Sequence, residues 1–342
     1  MIPVLPPTEE NLGLASLELA AGRLVAFPTE TVYGLGANAL DPTALARIFE
    51  AKRRPFFDPL IVHIADRQSL AALCSGLDAR AERLIDRFWP GPLTLVLPKT
   101  DAVPELATSG LPTVAVRMPA HPVALALIRK AGFPLAAPSA NPFGRLSPTS
   151  AAHVRDQFDR GISLILDGGP CAVGVESSIL SLAGETPVLL RAGGVPREEI
   201  EALIGAIAFS GQEAGSGDGR PNRPLAPGQL PGHYAPRTRL RLLHPVRDPA
   251  MFPEKALAGE LGARKVGWLG FRSVPSGSFA GAEVLSPSGN LREAAANLFA
   301  CLHRLDRQGL DLILAEPVPE AGLGLAIMDR LRKAAVGSAE GN

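Results

Sequence analysis

The sequence predicts an α/β protein built in two parts. Short apolar runs rich in Val, Ile and Leu, most of them bounded by Pro or Gly, alternate with helical patterns as far as residue 209. The segment Ser210–Pro236 then carries six glycines and five prolines in 27 residues, a composition that does not build regular structure. A second, shorter alternation of strands and helices follows it. The expected division is a larger α/β domain over residues 1–209, a linker over 210–236 and a small α/β domain over 237–342.

In chain order, the expected strands of the first part are Leu24–Phe27, Leu60–Ile64, Thr94–Leu97, Thr113–Arg117, Leu135–Ala137, Leu164–Leu166, Ser178–Leu182 and Val188–Arg191. Helical spacing predicts Pro42–Ala51, Arg67–Cys74, Ala79–Phe88, Pro122–Ala131, Thr149–Phe158 and Pro196–Ile204. Asp41 can cap the first of these, with Pro42 at the first helical position. In the second part, strands are expected at Leu240–Leu243, Lys265–Leu269, Ala282–Leu285 and Leu310–Ala315. Helices are expected there at Pro253–Glu260, Leu291–Gln308 and Leu325–Ala335. In Leu291–Gln308, the residues Leu291, Ala294, Ala295, Leu298, Leu302 and Leu305 make one apolar face.

Composition narrows the function. The 342 residues carry 34 basic and 34 acidic side chains, so a large non-specific attraction to nucleic acid is not the main driver, although a local basic patch is compatible with balance. Cys74, Cys171 and Cys301 lie far apart and form no zinc knuckle, CxxC or disulfide framework, which suits a reducing cytoplasm. The opening MIPVLPPTEENLG has neither a basic flank nor an apolar core, so no secretory signal is expected. No apolar run reaches the ~18 residues of a membrane span.

The motifs sit on loops that follow strands. Pro28-Thr29-Glu30-Thr31-Val32-Tyr33-Gly34-Leu35-Gly36-Ala37-Asn38-Ala39 formally contains GxGxxA. Its first Gly lies too far from the preceding strand for a dinucleotide fingerprint, and the loop instead offers hydroxyls and backbone N–H groups. Gly322-Leu323-Gly324 has too little chain after it for a nucleotide-binding unit and reads as a turn and helix start. No Walker loop is present.

Lys52-Arg53-Arg54 closes the first predicted helix ahead of Phe56-Phe57-Asp58. Such cations can meet phosphates, or simply answer the helix macrodipole. His63 lies in a buried-looking strand and reads equally as a structural histidine. Arg117 and Arg191 each end an apolar strand, where open α/β sheets gather ligands and where structural ion pairs also occur. Ser139 and Asn141 stand two apart in a loop between a strand and a helix, while Ser147 or Thr149 could cap that helix. The residues alone therefore point to a cleft for a phosphate- or carboxylate-bearing ligand, without a zinc cluster or a Ser-His-Asp set.

Taken together, PTETVYGLGANA, KRRPFFDPLIVHI, FWPGPLTLVL, VAVRMPAHP, APSANPFGRLSPTS, GVESSIL and LLRAGG resemble the YrdC-like family, in its long form that carries a C-terminal domain. The resemblance implies a twisted mixed sheet with surrounding helices around a concave, positively charged cavity, followed by a smaller Rossmann-like domain. It implies a nucleotidyltransferase that makes L-threonylcarbamoyl-AMP from L-threonine, bicarbonate and ATP, with Mg2+ on the nucleotide and pyrophosphate released. A separate tRNA threonylcarbamoyl transferase complex would then use the product next to the anticodon, in the cytoplasm and without membrane contact.

The same resemblance implies site residues. The family's KxR…SxN set maps onto Lys52, Arg54, Ser139 and Asn141 as catalytic residues. Threonine would meet Thr31, His63, Arg117, Ala137 and Ser177, with Arg117 on the carboxylate. ATP would meet Arg54, Asp58, Thr113, Ser139, Ser147, Arg191 and Tyr234, the last reaching back from a linker that acts as a lid. Asp58 stands where the family commonly has Asn. Competing readings are a non-catalytic protein binding tRNA or double-stranded RNA, and carbamoyl transfer of the hydrogenase-maturation type, whose accessory portions this chain lacks.

Overall fold

The computed structural model describes residues 2–210, 224–230, 232–243 and 265–337. The chain divides into two compact units: residues 1–143 with 147–230, and residues 144–146 with 231–342.

The first unit is built on a mixed sheet of eleven strands. In chain order these are β1 (Val4–Leu5), β2 (Val25–Phe27), β3 (Gly34–Asn38), β4 (Ile61–His63), β5 (Leu93–Pro98), β6 (Thr113–Arg117), β7 (Leu135–Ala136), β8 (Leu164–Leu166), β9 (Ser178–Ser181), β10 (Val188–Arg191) and β11 (Ala208–Phe209). Across the sheet the order is β1-β8-β2-β3-β7-β4-β6-β5-β9-β10-β11. Central β4 and β6 run parallel, with Ile61 beside Ala115 and His63 beside Arg117. β7 runs antiparallel to both β3 and β4.

Local sequence explains the surrounding helices. α1 (Glu9–Ala20) starts at Thr8, whose hydroxyl accepts from Asn11 N. α2 (Pro42–Lys52) has Pro at its start, and Asp41 accepts from Thr43 N at 2.8 Å. It stops at Arg53, which is left-handed at φ 52°. After the short α3 (Leu70–Leu73), α4 (Ala79–Phe88) is capped by Asp78. The short α5 (Glu105–Thr108) precedes β6. α6 (Pro122–Ala131) is capped by His121 and ended by Gly132 at φ 77°. α7 (Ala151–Arg155) and α8 (Arg197–Ile204) complete the unit.

Three departures from the sequence reading have clear causes. Gly34–Asn38 is a strand, not a turn; a Cβ on Gly36 would stand 2.8 Å from the Phe27 ring, so the glycines admit that ring to the sheet. α1 lacks the strong apolar stripe that periodicity detects, since Leu14 and Leu17 remain exposed. β1 and β11 are two residues each, below what alternation can register.

The second unit has a parallel four-stranded sheet of β12 (Arg239–Leu242), β13 (Val266–Gly270), β14 (Gly281–Val284) and β15 (Leu312–Ala315), ordered β12-β15-β13-β14. Its described helices are α9 (Leu291–Asp306), capped by Asn290, and α10 (Gly324–Gly337). Gly324 opens α10, as a turn and helix start. The expected helix Pro253–Glu260 lies outside the described residues. Among the described residues no helix is long and apolar enough to cross a membrane.

Candidate active site

The site lies on one face of the large sheet. Side chains alternate along a strand, so Thr113, Ala115 and Arg117 of β6 share a face, as do Ile61 and His63 of β4. Ile61 and Ala115 pack with Val96, Ile179, Leu190 and Ala226 into a small apolar floor. Thr113 and Arg117 stand about 13 Å apart along β6, at about 3.3 Å per residue. The face therefore has two ends.

Arg117 holds the first end. Its Nη1 donates to Thr31 Oγ1 at 2.9 Å and its Nε to Gly91 O at 3.2 Å, while Nη2 lies 2.6 Å from Glu30 Oε1. Thr31 is fixed in turn by a hydroxyl contact with Thr29 at 2.8 Å. His63 is buried beside Arg117, and that burial, reinforced by the Arg117 charge, holds its imidazole down at about 3. It is a neutral hydrogen-bonding group near pH 7. Ala137 N donates to Ile61 O at 3.0 Å, which ties this segment to β4.

Lys52, Arg54 and Asp58 form the second end, all of them buried. Lys52 Nζ donates to the main-chain carbonyls of Ser139 and Asn141. Phe143 N donates back to Lys52 O at 2.8 Å, so three hydrogen bonds join helix α2 to the Ser139 loop. Burial, with the Arg54 charge behind it, pushes the Lys52 ammonium well below its ordinary range. Arg54 wraps its own loop: Nε donates to Asp58 O at 3.1 Å, Nη2 to Pro59 O at 2.8 Å, and Nη2 pairs with Asp58 Oδ2 at 2.9 Å. Burial pushes the Asp58 carboxyl up, opposed by the charges of Arg54, Lys52 and Arg191. Arg54, Lys52 and Arg191 are the cationic groups that face it. The register of Ile61 with Ala115 sets Thr113 level with Pro59, at this end.

Arg191 faces the second end, where its charge acts on Asp58. The register shifts between Leu189 and Arg191, which re-aims the end of β10. Arg191 donates to Ser177 O at 3.1 and 3.0 Å, to Ser177 Oγ at 3.2 Å and to Pro227 O at 3.1 Å. Ser177 Oγ also meets Thr94 Oγ1 at 2.8 Å, and Ser147 Oγ donates to Glu176 Oε1 at 2.5 Å. A Cβ on Gly193 would stand 2.3 Å from Glu176 O, so only glycine lets this turn close.

Among the sequence-derived residues, hydrogen bonds or ion pairs join Arg117 to Thr31, Lys52 to Ser139 and Asn141, Arg54 to Asp58, and Arg191 to Ser177. Tyr234 belongs to the second unit. Its ring lies buried there, 5.9 Å from Phe299 and under the Arg330 guanidinium at 5.0 Å, with a left-handed φ of 64°. Glu30, Thr94, Glu176 and Pro227 were not singled out from the sequence. Glu30 and Glu176 lie inside quoted motifs, and a carboxylate in a run that must be buried demands a partner, which was the available signal.

A mixed α/β sheet with a cation-rich, hydroxyl-lined site on one face defines a small-molecule-binding protein built for an anionic ligand. A family model described as Telomere recombination, covering Sua5, YciO and YrdC proteins, matches residues 18–193. One described as Threonylcarbamoyl-AMP synthase, C-terminal domain, matches residues 195–336. The chain is 49% identical to the threonylcarbamoyl-AMP synthase of Pyrococcus abyssi, over 95% of this chain and 94% of that one. It is 46% identical to the Bacillus subtilis enzyme of the same name, over 97% and 95%. A crystal structure of P. abyssi Sua5 complexed with L-threonine superposes with a TM-score of 0.89 at 46% identity, covering 98% of this chain and 97% of that one. The chain belongs to the threonylcarbamoyl-AMP synthase family.

Proposed function

We propose that this protein joins L-threonine, bicarbonate and ATP into L-threonylcarbamoyl-AMP and releases pyrophosphate. Relatives that align over nearly their whole length bear the name of that activity. The observation that carries the reading is the division of one sheet face into an Arg117–Thr31–His63 end and a Lys52–Arg54–Arg191 end.

The amino acid sits at the first end, with its carboxylate on Arg117 and its polar groups among Thr31, His63, Ala137 and Ser177. Its amine combines with bicarbonate, water leaves, and a carbamate forms. A carbamate oxygen then attacks the α-phosphate of ATP; the bond to the β-phosphate breaks and pyrophosphate departs. Negative charge grows on the leaving group, which Lys52, Arg54 and Arg191 stabilise. Thr113, Ser139, Asn141 and Ser147 orient the nucleotide, and alignment of the reactants supplies much of the rate. Among the described residues no group of three or more His, Cys, Asp or Glu is arranged to hold a metal ion. Magnesium enters with the nucleotide substrate, on its phosphates.

Residues 210–236 serve as linker and lid. The product passes to a tRNA threonylcarbamoyl transferase complex acting on the adenosine next to the anticodon, and the reaction is placed in the cytoplasm. The test follows pyrophosphate release with ATP and magnesium. Release that requires both threonine and bicarbonate is expected. Release driven by carbamoyl phosphate instead would assign carbamoyl transfer of the hydrogenase-maturation type.

A further inference from the structure

Glu30 has no role in the reaction as described, yet it is buried in the loop that carries Thr31. Its partner is Arg117, in a pair whose side chains are 11% and 4% exposed. That ion pair apart, neither carboxylate oxygen of Glu30 receives a hydrogen bond among the described residues. His121 and Cys171 lie within its electrostatic reach. His121 caps α6 through Nδ1, and the thiol of buried Cys171 is pushed up by burial, so neither adds a compensating positive charge near neutral pH.

Charge balance gives this pair a consequence. A guanidinium has five N–H groups; Gly91 and Thr31 accept from two of Arg117, and its Nη2, paired by charge with Glu30, makes no hydrogen bond among the described residues, which leaves donors for a ligand carboxylate. Because Glu30 already balances Arg117, a bare carboxylate entering here brings an excess negative charge into a buried site, which is costly. A zwitterion brings none. Its carboxylate meets Arg117, and its ammonium meets the negative field of Glu30.

We infer that Glu30, through its pairing with Arg117, makes this pocket selective for a free zwitterionic amino acid over the corresponding deaminated acid. Glu30 is a positioning and selectivity residue. The inference deepens the proposed function and rests on its placement of the substrate carboxylate at Arg117.

Calorimetric titration of the whole protein tests it, with L-threonine and with dihydroxybutanoate, in which a hydroxyl replaces the amine. Wild type should prefer threonine, and Glu30→Gln should lose at least about tenfold of that preference as the pocket becomes net positive. Glu30→Asp should keep most of the preference. Glu30→Ala, neutral and smaller, carries the same expectation as Glu30→Gln should that variant fail to fold. A merely structural role would weaken both ligands together, and an unchanged ratio in the neutral variants would overturn the inference. Arg117→Gln separates the two levels. If it abolishes threonine binding while Glu30→Gln keeps the wild-type ratio, the pocket stands and the selectivity role falls. If Arg117→Gln binds threonine as wild type does, both fall.

Discussion

The ammonium of Lys52 is bonded to the main-chain carbonyls of Ser139 and Asn141. The two halves of the KxR…SxN pattern, more than eighty residues apart in the chain, are therefore one structural unit. Lys52 shapes the loop that presents Ser139 and Asn141.

Lys52→Ala should consequently cost more than a charge. Two buried carbonyls would lose their donor, a loss on the order of 3 kcal/mol, and the loop would shift. Turnover should fall roughly 100-fold or more, as loss of alignment allows, with a lower melting temperature. Pyrophosphate release and thermal melting, read together, check it. A variant with wild-type melting and a purely ATP-dependent defect would show that Lys52 acts on the nucleotide alone.

The Arg54–Asp58 pair predicts a second outcome. Asp58 opposes the cations Lys52, Arg54 and Arg191 in a buried setting. Asp58→Asn keeps the shape and removes the opposing charge. ATP should bind about 3–10-fold more tightly, and pyrophosphate should inhibit more strongly. Arg54→Ala should abolish turnover and destabilise the fold by about 3–5 kcal/mol, because it leaves Asp58 buried without its partner. Steady-state kinetics with added pyrophosphate distinguish the two; an unchanged KM for ATP in Asp58→Asn would remove Asp58 from the nucleotide side.

His63 gives a pH signature. Burial holds its folded-state value down at about 3, below the ordinary 6.5. Such a histidine contributes stability while it is neutral in both states, and that contribution is lost as pH falls. Between about 6.5 and 3 the unfolded chain binds a proton that the native protein refuses, and stability drops by up to about 1.4 kcal/mol per pH unit. His63→Asn should flatten this slope relative to wild type in urea unfolding at pH values from about 7 down to 5. Equal slopes would mean that His63 is protonated in the native state.

How far these features were legible depends on whether they are local. β6, β8, β10, α4 and α6 were readable to the residue, since each has a continuous apolar pattern and a Pro, Gly or capping boundary. β3 was hidden because its glycines serve the Phe27 ring, a contact across strands that no window sees. The cations of the site were visible as charges at strand and helix ends. Their partners were not: Glu30 meets Arg117, and Pro227 meets Arg191, through pairings of distant segments.

Tyr234 supplies a prediction for the second unit. Its ring is packed among Phe299 and Arg330 there. Tyr234→Ala should destabilise that unit by about 3 kcal/mol, as deletion of a buried aromatic does, and should shorten the lifetime of the adenylate product. Differential scanning calorimetry reads the first effect and chromatographic product decay the second. A product lifetime equal to wild type would confine Tyr234 to packing.

Arg191 binds the hydroxyl-bearing Ser177 and the carbonyl of Pro227, and its charge acts on Asp58. In the proposed reaction this one guanidinium is shared: it holds Ser177, assigned to the amino acid, and faces Asp58, assigned to the nucleotide. Occupancy by either compound restricts a group that the other also needs, so each should raise the affinity of its companion by the same factor, as thermodynamic reciprocity demands. Order of addition then becomes a matter of kinetics, and saturation with the amino acid should be visible as a lower half-saturation for the nucleotide.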